Sequence, residues 1–568
     1  MFFVALAADY DGTLALDGKV DEPTIEALRE LKASGRKLVL VTGRDLADLR
    51  KASNEMALFD LVVAENGALL FDPANEQENP LGKPPPPAFV ARLRELGVAP
   101  LTVGRSIVAT WEPNETLVLK AIRDLGLELH IIFNKGAVMV LQSDINKASG
   151  LKQALKLLGL SPHNVVGIGD AENDQAFLSA CGCSVAVANA LETVKERADL
   201  VVADHGRGVA ELAKLLTEAD LAVVHSRVDE AQPVLGTRED NTSIRLTRSE
   251  TVLVTGSSGG GKSTIVTALL EQMREAELQF CVIDPEGDYA ELHEAIVVGD
   301  AKREPSIAEA IRLLSKPANN VVLNLVAIDP GERPPFLAAF LPELAKLRAK
   351  SGRPHWIVVD EVHHCLPAKW EPAPVTLPRE LPAMIAVTVH ADAVSHDFLA
   401  LVSTVVGVGE GAGPAIMRFW QALDRPQPSL PERTPAAGRI LVVRGGVAEV
   451  LIGAMPKERQ RRHIRKYAEG DLGQDKSFYF RGPEGALRLR AQNLSTFLDL
   501  ATGVDDQTWM YHLREGAYSK WFREAIKDEL MAAEAASVER NAALSALESR
   551  ARIKAAVQQR YTVPAKKD

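Results

Sequence analysis

Phe2-Phe3-Val4-Ala5-Leu6-Ala7-Ala8-Asp9-Tyr10-Asp11-Gly12-Thr13 carries an apolar run straight into two carboxylates and a glycine. The run has the length of a buried strand and lacks a basic flank or a cleavage-like site, so it reads as the first strand of a domain. Outward from it, residues 37–42, 61–64 and 165–168 repeat the pattern of a short β-rich segment ending at polar residues. Between them, 23–33 and 148–158 have helical periodicity, with Pro23 suited to a first helical position. This alternation predicts βαβ units and an open, largely parallel sheet over residues 1–224. The proline-rich stretch 80–87 can continue neither a helix nor a strand and marks a connection, placing a small inserted module at about 71–143.

Ligands of such sheets bind beyond the carboxyl ends of the strands. Asp9 and Asp11, freed by Gly12, can hold a divalent cation and leave one oxygen as a nucleophile. Thr42, in Val41-Thr42-Gly43-Arg44, can donate its hydroxyl to a phosphate oxygen, and Lys147 can neutralise phosphate and nucleophile. Gly169-Asp170-Ala171-Glu172-Asn173-Asp174, after another apolar strand, can complete a metal site.

In this order the four segments resemble the four motifs of the haloacid dehalogenase superfamily. Ala64-Glu65-Asn66-Gly67-Ala68 points to its Cof-like sugar phosphatase branch. The resemblance implies a Rossmann-like domain with a small cap and a magnesium-dependent phosphatase. It implies that Asp9 attacks phosphorus to form an aspartyl-phosphate and that Asp11 serves as acid and base. Thr42, Gly43, Lys147 and Asn173 would hold the phosphoryl group. Mg²⁺ would sit on Asp9, the Asp11 backbone carbonyl and Asp170, with Asp174 supporting it. The inserted module is short for the branch and resembles the reduced caps of phosphoglycolate-type phosphatases. Its cationic residues, Arg92, Arg94, Arg105, Lys120 and Arg123, could meet an acidic leaving group, but such charges are more often solvated on a helix face.

A second α/β alternation runs over 243–455. Gly256-Ser257-Ser258-Gly259-Gly260-Gly261-Lys262-Ser263-Thr264 stands between an apolar run and a helical one. It matches G-x-x-x-x-G-K-[ST] in the strand–loop–helix context that the motif requires. Gly256, Gly259, Gly260 and Gly261 let backbone N–H groups turn inward around phosphates. Lys262 would reach the β/γ-phosphates, Ser263 would bind Mg²⁺, and Thr264 closes the motif, so ATP is the expected ligand. Trp356-Ile357-Val358-Val359-Asp360-Glu361 is an apolar strand ending in two acids. Asp360 would hold the magnesium through water, and Glu361 would polarise the attacking water. With Val282-Ile283-Asp284-Pro285-Glu286-Gly287-Asp288-Tyr289, these segments resemble the HerA/FtsK-type P-loop ATPases. That resemblance implies hexameric homo-oligomers that pump DNA or peptides. Two departures weigh against a motor: His390 stands where the family places Gln or Asn, and the arginine finger has only candidates in Arg348, Arg418 and Arg425.

At 568 residues, 46% apolar and 25% charged, the chain has the composition of a soluble, cytoplasmic protein of two to four domains. Its net charge of -11 gives no argument for nucleic acid, and no run reaches membrane-spanning length. The four cysteines lack metal-knuckle spacing. Residues 225–242 suit a linker or a short entry hairpin. Residues 456–568 open with a basic run at 457–466 and continue with aromatics such as Phe478, Phe480 and Trp509. They read as a linker leading into a mainly helical accessory domain, ahead of a base-stacking surface. The expected function is a bifunctional enzyme, a phosphatase for a small phosphate ester joined to an ATPase. A ring-forming nucleic-acid motor with an end-processing phosphatase and a phosphate-binding scaffold are the competing readings.

Overall fold

The computed structural model describes residues 1–568 apart from 135, 223, 258–259, 370–381, 432–437, 458–466, 468–471, 473–475, 484, 486, 527 and 562–568. The chain divides into the units Met1–Ala454 and Met455–Asp568.

Among the described residues, the first unit holds three sheets. Strands β1 (Ala5–Ala8), β2 (Lys37–Val41), β3 (Leu61–Ala64), β4 (Leu69–Asp72) and β5 (Gln77–Pro80) begin the first. The chain then makes a separate antiparallel sheet from β6 (Thr102–Val103), β7 (Val108–Trp111), β8 (Leu129–Asn134) and β9 (Ala137–Gln142). It returns with β10 (Val165–Gly169), β11 (Cys183–Val187) and β12 (Leu200–Val202), completing the order β12-β11-β10-β1-β2-β3-β4-β5. All four residues of β1 are buried, as a parallel strand with both faces covered requires. Ala5 pairs with Val165 on one side and Lys37 on the other. The chain leaves β1 toward β2 and comes back to β10, so β1 is the switch point and the crevice opens beyond Ala8.

The inserted module starts later than expected. Residues 71–80 belong to β4 and β5, which extend the main sheet antiparallel. The cap proper consists of the helices Pro87–Glu95 and Glu115–Asp124 on the β6–β9 sheet. Sequence alternation could not separate these strands from a cap because both are short and partly polar.

The next sheet comprises β13 (Val234–Thr237), β14 (Ser243–Arg245), β15 (Thr251–Gly256), β16 (Phe280–Asp284), β17 (Ala295–Val298), β18 (Asn320–Asn324), β19 (Trp356–Val359), β20 (Met384–Thr388), β21 (Thr404–Val408), β22 (Arg439–Arg444) and β23 (Val447–Gly453). Its order is β14-β13-β23-β22-β21-β15-β20-β19-β16-β18-β17, with β20 standing between the strands that lead into the glycine-rich loop and the acidic pair. Residues 225–242 form the helix Arg227–Glu230 and part of the β13–β14 hairpin, which joins the sheet through β23. One buried apolar cluster runs through both large sheets, from Leu6 and Val166 to Val282 and Val358.

In the second unit, β24 (Phe478–Phe480) pairs with β25 (Leu489–Ala491) beside five helices between Leu494 and Tyr561. Phe478, Phe480, Phe497, Trp509 and Tyr518 are its core, and Trp509 Nε1 donates to Ser549 Oγ at 2.9 Å. The aromatics are therefore interior side chains. The basic run expected at 457–466 lies, beyond Lys457, outside the described residues.

Candidate active sites

Asp9 directly follows β1 and Asp170 directly follows β10, so parallel pairing alone brings them together. Lys147 begins the helix Lys147–Leu158, capped by Asn146. That helix lies against the β3–β4 turn because residues 67 and 150 are glycines. A Cβ on Gly150 would come within 2.5 Å of Val63 Cγ1 and 2.6 Å of Gly67 Cα.

The result is a closed ionic site. Lys147 Nζ donates to Asp9 Oδ1 at 2.5 Å and to Asp174 Oδ1 at 2.6 Å, and its side chain is 1% exposed. Asp174 Oδ2 accepts the N–H groups of Asp170 and Ala171, both at 2.9 Å. Asp9, Asp170 and Asp174 each present a carboxylate oxygen within 4.8 Å of the others. Three buried carboxylates face one ammonium. Burial first, then Asp174, raise the Asp9 carboxyl to about 8. The charge imbalance and the oxygen-only donor set fit a hard divalent cation.

Thr42 and Gly43 line the adjacent turn. Thr42 is fully buried, and its carbonyl accepts the N–H of Asn66 at 3.0 Å. Asn173 Nδ2 donates to Asn66 Oδ1 at 3.1 Å, while Asn173 Oδ1 and Asn66 Nδ2 are buried without partners. A Cβ on Gly43 would stand 3.5 Å from Met139 Sδ of the cap and 3.7 Å from Asn173 Nδ2, so cap and core converge here. Asp11 lies apart from the carboxylate cluster. Arg44 grips it with Nε to Oδ2 at 2.7 Å and Nη2 to Oδ1 at 2.6 Å, and Arg44 N–H also bonds Thr42 Oγ1 at 3.1 Å. The motifs predict no role for Arg44, and its position beside the Thr42-Gly43 turn is the one signal the sequence carries for it.

The second site lies at the carboxyl ends of β15, β19 and β20. Gly256 has φ 151°, and a Cβ there would meet Val408 O at 2.2 Å. Gly260 and Gly261 lead into the helix Lys262–Glu275, whereas Gly259 lies outside the described residues. Lys262 Nζ folds back on its own loop, donating to Ser257 O at 3.0 Å and Gly256 O at 3.3 Å. Its burial lowers its pKa. Ser263 is exposed and Thr264 partly so. Asp360 is buried, and desolvation followed by Glu361 raises it to about 7. Glu361 adopts φ 37°, a left-handed conformation that is costly for a side-chain-bearing residue. Its Oε2 is buried with no hydrogen bond and stands 3.4 Å from His363 Nδ1. His390 packs edge-on against His363, and Thr388 Oγ1 bridges them, 3.1 Å from His363 Nδ1 and 3.0 Å from His390 N.

Arg348 does not fit an arginine finger. Its guanidinium is spent on the carbonyls of Pro354, Pro382 and His355 at 2.7–2.9 Å. The four cysteines are free and buried, and none joins either site. No described helix is long and apolar enough to cross a membrane.

The family model for haloacid dehalogenase-like hydrolases matches residues 6–83 and 119–212, and that for the central domain of helicase HerA matches 239–345. A phosphoglycolate phosphatase of Methanothermobacter thermautotrophicus is 32% identical over 225 residues, covering 37% of this chain and 97% of the relative. One from Methanopyrus kandleri is 34% identical over 227 residues, with 37% and 97% covered. A solved haloacid dehalogenase-like hydrolase from Bacteroides thetaiotaomicron is 19% identical over 37% of this chain and 98% of its own, at TM-score 0.34. Through its first 220 or so residues the chain belongs to the haloacid dehalogenase-like hydrolases, and it carries a HerA-type P-loop domain fused behind that phosphatase.

Proposed function

We propose that the chain is a bifunctional enzyme, a magnesium-dependent phosphatase acting through an aspartyl-phosphate, joined to a domain that binds and hydrolyses ATP. The observation that carries the first half is Lys147 bridging Asp9 and Asp174 beside Asp170 at the switch point. Asp9 and Asp170, with Asp174 behind them, would hold Mg²⁺, which supplies positive charge against the phosphoryl oxygens. An Asp9 carboxylate oxygen attacks phosphorus as the bond to the leaving oxygen breaks, and protonated Asp11 delivers its proton to that oxygen. Asp11 then takes a proton from the water that cleaves the acyl-phosphate, regenerating Asp9. For this cycle Arg44 must release Asp11, and substrate entry beneath the cap is the natural occasion. Lys147, Thr42, Gly43 and Asn173 hold the phosphoryl group, whose charge would give the free Asn66 Nδ2 an acceptor. The small cap and the two relatives support a small phosphorylated acid such as 2-phosphoglycolate as substrate.

For the second half, Gly256, Gly260, Gly261 and Lys262 would cradle the phosphates of ATP, and Ser263 and Asp360 would hold its magnesium. Glu361, with one oxygen unsatisfied, would orient the attacking water. The likeness to the HerA central domain supports a ring-forming homo-oligomer as a further reading, which mass photometry with and without ATP decides. The primary test is multiple-turnover phosphate release from 2-phosphoglycolate and, separately, from ATP. Both activities should require Mg²⁺ and vanish in EDTA; full-length protein that turns over no phosphate ester would refute the phosphatase assignment.

A further inference from the structure

We propose that Asn164 and His355 form a node between the two catalytic domains through which nucleotide at the P-loop sets the rate of the phosphatase site. This rests on the two-site reading above and adds the regulation that links the sites.

The large sheets meet base to base. Asn164 directly precedes β10, and His355 directly precedes β19. His355 Nδ1 accepts the N–H of Gln279 at 2.8 Å, so Nε2 carries the ring proton and donates to Asn164 Oδ1 at 3.0 Å. Asn164 Nδ2 donates to Phe2 O at 2.9 Å, and Asn164 O accepts the N–H of Val4 at 2.8 Å. Gln279 directly precedes β16, and its carbonyl accepts the N–H of His355 at 2.8 Å. Arg353 adds a second crossing, donating to Gly159 O at 2.7 Å and to Gln279 Oε1 at 3.1 Å. Asn164, Gln279, Arg353 and His355 are each at most 3% exposed.

From this node the strands run outward in two directions. On one side β1 and β10 lead to Asp9 and Asp170; on the other β16 and β19 lead to Asp284 and to Asp360-Glu361. At about 3.3 Å per residue, the acids lie roughly 16–20 Å from the node, each along one strand. No loop intervenes to absorb a displacement.

The far end of β19 is also where nucleotide would act. Glu361 is left-handed with an unsatisfied buried oxygen, and Lys262 is bonded to its own loop. A γ-phosphate and its attacking water would give both side chains new partners. That is the differential interaction a switch needs. A shift of β19 reaches His355, whose ring nitrogens are both bonded. It cannot move alone without leaving a buried polar atom of Asn164 or Gln279 unsatisfied. The disturbance therefore passes to the bases of β1 and β10.

The test uses the full chain, 2-phosphoglycolate and a saturating non-hydrolysable ATP analogue at fixed free Mg²⁺. In the wild type the analogue should change phosphatase kcat/KM about threefold or more. His355→Leu and Asn164→Ala should keep nucleotide-free turnover and lose the response, and His355→Gln should retain part of it. Nucleotide-induced change in amide exchange across 165–170 provides a readout independent of turnover and of any variant. A wild-type response that survives intact in both disruptive variants overturns the proposal, as does unchanged exchange at 165–170 on nucleotide binding, or failure to bind nucleotide. Loss of all ester turnover in the wild type would instead strike at the phosphatase reading, and the exchange measurement would still decide this one.

Discussion

Replacing Lys147 by methionine keeps the length of the side chain and removes its charge. The ammonium is 1% exposed and holds Asp9 at 2.5 Å and Asp174 at 2.6 Å. Without it, three buried carboxylates within 4.8 Å of one another have no counter-charge from this lysine. Breaking a buried ion pair by removing one partner costs about 3–5 kcal/mol. Asp9, raised to about 8, already holds a proton at neutral pH, which keeps the loss there at the low end of that range. At neutral pH the loss should fall near 3 kcal/mol, and above pH 8 it should approach 5 kcal/mol, so the figures are about 3 and 5. Native-state hydrogen exchange reads this sheet separately from the rest of a multidomain chain. In metal-free protein at alkaline pH, the amides of β1 and β10 should exchange roughly 100- to several-thousand-fold faster than in the wild type. Added Mg²⁺ should slow them again. Less than a tenfold change would mean that Lys147 does not carry the charge balance of the site.

Other outcomes follow from the same geometry. Because burial raises Asp9 from 3.8 to about 8, the folded metal-free site binds a proton that the unfolded chain releases. Stability in EDTA should therefore fall as pH rises from about 4 to 8, and Mg²⁺ should flatten the slope; denaturant titrations showing a rise across that window would reverse the sign. Gly150→Ala places a methyl 2.5 Å from Val63 Cγ1 and should cost about 1–3 kcal/mol in the first sheet, lowering phosphatase activity while sparing ATPase activity. Lys262→Ala should lose nucleotide affinity, whereas Glu361→Gln should bind ATP and hydrolyse it at least 100-fold more slowly, or about 2.7 kcal/mol in barrier. Equal ATPase rates in wild type and both variants would remove the P-loop assignment.

Asp9, Asp170, Asp360 and the glycine-rich loop were legible in the sequence because parallel sheets collect strand ends at one edge. A short apolar run followed by an acid thus gives both element and address. Lys147 was legible only from its place in the order of the motifs, between Thr42 and Asp170, and its contact with Asp174 depends on a helix seated by Gly67 and Gly150. The Arg44–Asp11 grip was not readable, since it joins residues 33 apart through side-chain geometry alone. Nor was the His355–Asn164 contact, 191 residues apart, where two ordinary pre-strand positions become buried partners once the domains dock. Arg348 could stand only as one of three arginine-finger candidates for a related reason: an arginine looks free until the carbonyls that take it up are placed. Phe478, Phe480 and Trp509 show the reverse, because aromatic content is the same whether it stacks bases or fills a core.

The most direct test of the account is to trap the covalent intermediate. Full-length protein mixed with 2-phosphoglycolate and Mg²⁺, quenched in acid during turnover and mapped by mass spectrometry, should carry a phosphoryl group on Asp9, and Asp9→Asn should carry none. Steady turnover with no acid-stable adduct on Asp9, or with the adduct on another residue, would contradict the assignment of the nucleophile on which the mechanism stands.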